Sequence, residues 1–448
     1  MFDPSIKYGI LGLARSGISA ANKIKELGGK AFLSEKQSRE SIPEADELIK
    51  YHECEFGGHT DRLLDCPIWI VSPGIPLNTP IIQKGLVHGI QMISEIEFGF
   101  QIKYPDSKII AITGSNGKST TASLIHHILQ VLGQKSILAG NIGDAFCSYP
   151  IHKPGIDYIV LEISSFQLDL IQTFAPHVAV LTNITPDHLN RYRDFEEYCQ
   201  SKMKIFSNQE EHDYAVLYQD SSEIAQRIDT IRSQKLTFSL TDDHADGYRK
   251  GKFLYVNNDK ISIYDLKLMG PHNQLNVLAA ALSVTALGFG TSETLQACKS
   301  FHSLPHRLEF VENINGVSFF NDSKATNTDS SKSALESFDR PIRIIMGGSD
   351  KGEDFSLLTE TLQRHAIKAY IIGESKDKMR QAWLGKLPLA FFDDFRECIR
   401  TAYEESTIGD YIVLSPACAS FDLFKNFEHR GDTFKDIVRE ILREKEQA

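Results

Sequence analysis

Gly114, Gly117, Lys118 and Ser119 stand close together in SKIIAITGSNGKSTTASLIHHILQVLG, residues 107–133, and these types at this spacing suit the holding of phosphate. Glycines let a backbone approach phosphate oxygens, and N–H groups at the start of a following helix point at the anion. Gly114, Ser115, Asn116, Gly117, Lys118, Ser119 and Thr120 therefore read as a phosphate-binding loop. Lys118 would neutralise the outer phosphates and the Ser119 hydroxyl would meet magnesium. Residue 112 is isoleucine, a departure from GxxxxGK[ST], and a Gly/Ser-rich turn at a helix start is the plain alternative. The apolar run before the loop predicts a buried strand. Leu124, Ile125, Ile128, Leu129 and Leu132 recur at helical spacing, and Gly133 marks a stop.

Two further apolar runs, 158–163 and 178–183, follow the loop. Parallel pairing of these runs with the first would bring Lys118, Glu162 and His188 to carboxyl ends around one crevice. Glu162 interrupts an apolar strand, and a buried carboxylate needs a cation, either magnesium or a lysine or arginine. His188, next to Asp187, is a metal ligand or an ordinary loop histidine. Lys202, in FEEYCQSKMKIF after the helix cap Asp194, reads by itself as a solvated lysine. Asn273 and Asn276 lie near the start of a buried helix over 270–288, where they either cap it or face a base edge.

The elements that must carry these groups alternate. Runs at 8–11, 30–33 and 68–71 predict a doubly wound parallel sheet. Gly9, Gly12 and Gly17 with Glu35 resemble a dinucleotide fingerprint without its GxGxxG spacing, so a nicotinamide-dependent oxidoreductase is a rival reading. Residues 99–107 read as a linker, 220–267 as a hairpin layer, and 304–310 as a second boundary. Runs at 317–320, 342–346, 369–372 and 411–414 predict a third α/β domain. Three of its strand ends carry polar loops, 321–327, 347–355 and 415–422, suited to a small polar anion. At 448 residues the chain is long enough for three domains. A net charge of -11 argues against nucleic acid as a partner. Seven scattered cysteines without a CxxC pair favour reduced thiols in the cytoplasm, and no run approaches a membrane span.

GSNGKSTT (114–121), GNIG (140–143), LEISSFQL (161–168), TNITPDHLNRY (182–192), HNQLN (272–276), LPHRLE (304–309), NDSKATN (321–327) and SPACASFD (415–422) follow in this order along the whole chain. Together they resemble the ATP-dependent Mur ligases of peptidoglycan synthesis, relatives of folylpolyglutamate synthases. SSFQL and SPACASFD resemble the D-glutamate-adding branch.

The resemblance implies an α/β protein of three domains. These are a Rossmann-like UDP-substrate domain (1–99), a central P-loop-type ATPase domain with a parallel sheet (100–304) and a Rossmann-like domain for the amino acid and ATP (305–448). It implies a monomeric cytoplasmic ligase using ATP and two magnesium ions. ATP would convert the carboxylate of UDP-N-acetylmuramoyl-L-alanine into an acyl phosphate, which D-glutamate attacks, and closure of the third domain would assemble the site. Lys118, His188 and Lys202 become catalytic. Ser119, Glu162, His188 and a carbamoylated Lys202 become metal ligands. Asn276, Arg307 and Asp322 become nucleotide contacts beside the loop. Asn141, Lys324, Thr326, Lys351, Ser420 and Phe427 fall on the substrate and amino-acid side, and Ser16, Glu35, Ser72 and Gly74 on the UDP side.

Overall fold

The structure, a computed structural model, describes residues 2–187 and 191–446. The chain divides into two compact units, Met1–Ile263 with Leu275–Lys299, and Tyr264–Gln274 with Ser300–Ala448. The first unit holds two sheets. Strands β1 (Lys7–Leu11), β2 (Lys30–Glu35), β3 (Glu53–Phe56), β4 (Ile68–Val71) and β5 (Gln91–Ile93) are all parallel, in the order β3-β2-β1-β4-β5. The strand order reverses between β1 and β4, and the crevice beyond their carboxyl ends is where such sheets take ligands. β3 and β5 escape the sequence pattern because one is polar and only partly buried and the other has three residues.

The second sheet contains β6 (Lys108–Thr113), β7 (Ser136–Gly140), β8 (Tyr158–Glu162), β9 (Val178–Leu181), β10 (Tyr214–Tyr218), β11 (Gln234–Ser239), β12 (Gly247–Lys250), β13 (Phe253–Val256) and β14 (Asp259–Ser262). Its order is β14-β13-β12-β11-β10-β9-β6-β8-β7, so β6 runs between β8 and β9 and parallel to both, as expected. Apart from its exposed first residue, Lys108, β6 is buried, as an inner strand covered on both faces must be. The hairpin β13–β14 continues this sheet antiparallel at its edge rather than forming a layer of its own.

The supposed linker at 99–107 is a correction. Its first residues finish the helix Glu95–Ile102, and Gly99 packs so closely on the Phe146 ring that a Cβ would overlap it. Glu97 of that helix is fully buried and accepts hydrogen bonds from the backbone N–H groups of Gln172, Thr173 and Phe174. The helix is thus tied to the central sheet's loops.

Glu95, buried beside it, accepts from the Cys147 N–H at 2.5 Å, while its Oε2 has no partner. Burial raises its pKa to about 7. A carboxyl whose folded pKa lies above its unfolded one binds extra protons when folded, so the first unit loses stability as pH rises from about 4.5 through about 7. Glu95→Gln should flatten that slope in urea titrations at pH 5.5 and 8. An unchanged slope would exclude Glu95 as its source.

The second unit has one sheet of β15 (Glu309–Ile314), β16 (Val317–Asn321), β17 (Ile342–Met346), β18 (Ala366–Ile372), β19 (Leu389–Phe392) and β20 (Tyr411–Leu414), ordered β15-β16-β20-β17-β18-β19. It is parallel except at β15, which pairs antiparallel with β16. The helix Phe427–Glu446 buries Phe434, Ile437, Val438 and Ile441 against it. No helix among the described residues is long and apolar enough to cross a membrane.

Candidate functional site

The phosphate loop turns directly off β6. Gly114 has φ +148 and lies against the Thr182 hydroxyl, which a Cβ would strike. Gly117, at φ +85, begins the helix Lys118–Val131, a left-handed conformation that glycine adopts without cost. Two residues at the end of β9, unrecognised in the sequence, hold the loop. The Thr182 hydroxyl donates to Asn116 O at 2.6 Å. Asn183 accepts from Asn116 N–H at 2.9 Å through Oδ1 and from Ser115 N–H at 3.0 Å through its carbonyl. The signal was there in TNIT, a polar set closing an apolar strand. Asn276 packs over Gly117 and accepts from Thr121 Oγ1 at 3.2 Å. Asn273 instead donates to Met269 O at 2.7 Å.

Two ammonium groups converge on this loop. Lys118 Nζ donates to Gly114 O at 2.8 Å and Ser115 O at 2.7 Å, and Lys202 Nζ donates to the same Gly114 O at 2.8 Å. Lys202 is not solvated: it is 2% exposed and lies 4.5 Å from the Tyr198 ring centre. Burial, and next the Lys118 charge, pull its pKa well below the usual lysine value. The helix Phe195–Met203, capped as expected by Asp194 on Glu197 N–H, delivers it.

Lys118, Asn141, Ser164, Asp187, Lys202 and Gly74 line a cavity of about 320 Å³. Glu162, buried opposite Ile112 in the sheet register, accepts through Oε1 from Nδ2 of the cavity residue Asn141 at 2.8 Å. Its Oε2 is buried with no hydrogen-bond partner, and among the described residues no lysine or arginine pairs with it. A carboxylate oxygen left bare in a buried wall fits a hard cation, which takes oxygen donors. Ser119 is buried in the first turn of the following helix. His188 lies outside the described residues.

A larger cavity, about 880 Å³, opens beyond β1, β2 and β4, and Ser16, Glu35, Ser72 and Gly74 all line it. Glu35 is already occupied, accepting from Leu13 N–H at 2.6 Å and Gln37 N–H at 2.9 Å, so it orders two turns. Ser72 Oγ likewise donates to Gly12 O at 2.8 Å. Arg15, Lys36 and His59 line the cavity as well and were not singled out by spacing. Pro73 and Gly74 border both cavities.

In the second unit the three polar loops meet. Asp322 accepts from Leu308 N–H at 3.1 Å and Ser415 Oγ at 2.9 Å, and burial raises its carboxyl to about 7, a shift that Ser415, Leu308 and Arg307 oppose. Lys324 Nζ sits 3.7 Å from the Phe427 ring centre, and Ser323 Oγ donates to Phe427 O. Ser420 is buried, Thr326 half-buried and Lys351 exposed. Arg430, which no motif had flagged, is the hub. It is 2% exposed and donates to Ser323 O, Cys418 O and Ala419 O. The Ala419 carbonyl also accepts from Ser349 N–H.

Comparison with known proteins agrees with this geometry. Residues 7–81 match the MurD N-terminal domain, 112–284 the Mur ligase middle domain, and 306–418 the glutamate ligase domain of Mur ligases. The chain is 39% identical to UDP-N-acetylmuramoylalanine--D-glutamate ligase of Salinibacter ruber, covering 97% of each chain. It is 39% identical to the like-named protein of Cytophaga hutchinsonii, covering 98% of this chain and 99% of the relative. Among solved structures, MurF ligase of Thermotoga maritima has a similar fold, with TM-score 0.67 at 15% identity, covering 98% and 100% of the two chains. UDP-N-acetylmuramate-alanine ligase of the same organism has TM-score 0.62 at 17% identity over 97% and 99%. With near-complete coverage at this identity, and three consecutive domain matches in order, the protein belongs to the Mur ligase family.

Proposed function

We propose that the protein joins D-glutamate to UDP-N-acetylmuramoyl-L-alanine at the expense of ATP, in the cytoplasm, as a step of cell-wall precursor synthesis. The observation that carries this reading is the meeting of Lys118 and Lys202 at the Gly114 carbonyl, on a cavity sharing the wall Pro73–Gly74 with the larger cleft. A nucleotide sugar held in the larger cleft extends its terminal carboxylate past that wall to a γ-phosphate on the loop. Transfer of the phosphoryl group breaks the β–γ bridge and forms the acyl phosphate. The amine of D-glutamate then attacks the acyl carbon, and phosphate departs. Lys118 and the loop N–H groups offset charge on the transferring group without reorganising. Asp187, on the cavity wall, and His188 are the candidate bases for the amine.

Ser119, Glu162, His188 and Lys202, the last as its carbamate, are the residues to hold two magnesium ions, which when bound offset phosphate charge. Burial and the Lys118 charge favour the neutral form of the Lys202 amine, the form that takes up carbon dioxide. Residues 1–99, 100–304 and 305–448 act as the UDP-substrate, ATPase and amino-acid domains. Asn276 in the first unit, and Arg307 and Asp322 in the second, are each assigned to the nucleotide, and Lys324, Thr326, Lys351, Ser420 and Phe427 of the second unit to D-glutamate.

Phosphate release from ATP with UDP-N-acetylmuramoyl-L-alanine, screened over D- and L-amino acids, tests the reading. D-glutamate alone should support turnover, and release driven by another amino acid, or by none, would sink it. Glu162→Gln keeps the shape and the Asn141 bond but halves the carboxylate's capacity. Turnover should fall about 100-fold or more, with a weaker apparent magnesium affinity, because metal-borne charge stabilisation amounts to several kcal/mol. Unchanged magnesium dependence would remove Glu162 from the ligand set.

A further inference from the structure

Arg191 is used by none of the steps above, yet it makes an unusual set of contacts. One guanidinium nitrogen donates to Pro73 O at 2.8 Å and Ile75 O at 2.6 Å, and the other to Gly74 O at 3.1 Å. The same guanidinium lies 4.5 Å from the centre of the Phe166 ring. Arginine's planar fork suits such a task, since several acceptors can be held at once while the face stacks on an aromatic ring. Three successive carbonyls of one turn thus point at a single cation. In a trans peptide the N–H points opposite to the C=O, and the structure contains no cis peptide among the described residues. Holding Pro73 O therefore turns the Gly74 N–H away from Arg191.

The placement matters because of what each partner borders. Pro73 and Gly74 form the wall common to the two cavities, and Phe166 lines the smaller one beside Lys118 and Lys202. Arg191 itself follows Asp187 by four residues on the loop after β9. It thereby links the loop bearing the candidate bases, the turn of the N-terminal sheet, and the aromatic side of the phosphate cavity. Its side chain is partly withdrawn from water, and burial lowers its pKa from the usual arginine value.

We infer that Arg191 is a positioning residue that clamps the Pro73–Ile75 turn, setting the register in which the nucleotide-sugar substrate crosses from the larger cavity to the phosphate loop. This rests on the substrate assignment proposed above and adds to it a determinant of alignment outside the reacting groups. The clamp acts on the acceptor substrate and not on ATP, whose loop is fixed independently by Thr182 and Asn183.

Arg191→Ala and Arg191→Lys test it. Lysine keeps the charge but concentrates its donors on one atom, so it does not hold three carbonyls together with the ring stack. In both variants the KM for UDP-N-acetylmuramoyl-L-alanine should rise about tenfold and kcat/KM fall on the order of 100-fold, the scale of a misplacement near 1 Å, with the KM for ATP within about twofold. Hydrogen exchange at the Gly74 and Ile75 amides, followed without any substrate, should accelerate in both. A wild-type KM profile, full rescue by lysine, or equal loss toward ATP and the nucleotide sugar would overturn the clamp. Unchanged exchange at Gly74 and Ile75 would do the same, even if the variants destabilise the fold. Failure of the substrate assignment shows differently, as wild-type enzyme that does not release phosphate with D-glutamate while the exchange difference persists.

Discussion

Lys118→Ala is expected to lower amino-acid-dependent phosphate release by about 1000-fold or more, the scale on which single cations act in phosphoryl transfer. Two of the side chain's hydrogen bonds go to carbonyls of its own loop, Gly114 O and Ser115 O, and neither belongs to the sheet or helix ladder. The melting temperature should move by only a few degrees, and the loss belongs to chemistry. A second effect follows from its neighbour. The Lys118 charge is one of the causes holding the Lys202 pKa down, so removing it lets Lys202 gain a proton more easily. Stopped-flow phosphate detection with nucleotide-binding measurements separates the two, and a variant retaining a tenth of wild-type turnover would refute the role.

Lys202→Ala is the other large loss, about 100-fold or more, on the scale of general electrostatic contributions at such sites. Short carboxylates such as formate or acetate should restore part of it, because the space left by the side chain would admit a carboxylate where the proposed carbamate would lie. Lys202→Arg should not be rescued. The pH behaviour has a definite sign. A lysine whose folded pKa is depressed binds fewer protons folded than unfolded, so stability rises with pH from that folded value up to the unfolded value near 10.5. Activity measured after carbon dioxide depletion should drop and recover on adding bicarbonate. Activity indifferent to both carbon dioxide and added carboxylates would exclude the carbamate.

The loop and its strand were legible because a buried strand, glycines, a lysine and a helical apolar stripe leave few alternatives. The adjacency of β8 and β9 to β6 is the parallel pairing under which their apolar runs would gather the site at one end of the sheet. Short or half-exposed strands such as β3, β5 and β19 carried no such pattern, since edges answer to pairing more than to burial. Lys202 was misjudged from its local sequence, where flanking polar residues suggest solvent. Only the tertiary fold, laying its amine on Gly114 O and its stem by Tyr198, removes it from water. For Glu35, residue type and spacing do not reveal that its carboxylate also accepts from two backbone N–H groups. Thr182, Asn183, Arg191 and Arg430 went unread because each acts on backbone carbonyls or amides distant in sequence.

Arg430 joins the loops that leave β16 and β20, through the main-chain oxygens of Ser323, Cys418 and Ala419 and through the Ser323 hydroxyl. At Cys418 and Ala419 these bonds do not depend on the side chain, whereas they do depend on the lengths of the loops. Inserting or deleting one residue in either of them would drag a carbonyl off a buried guanidinium, and the other loop would register the change. The hairpin β13–β14, at the rim of its sheet, is under no such obligation and is where natural variation in chain length has room to accumulate.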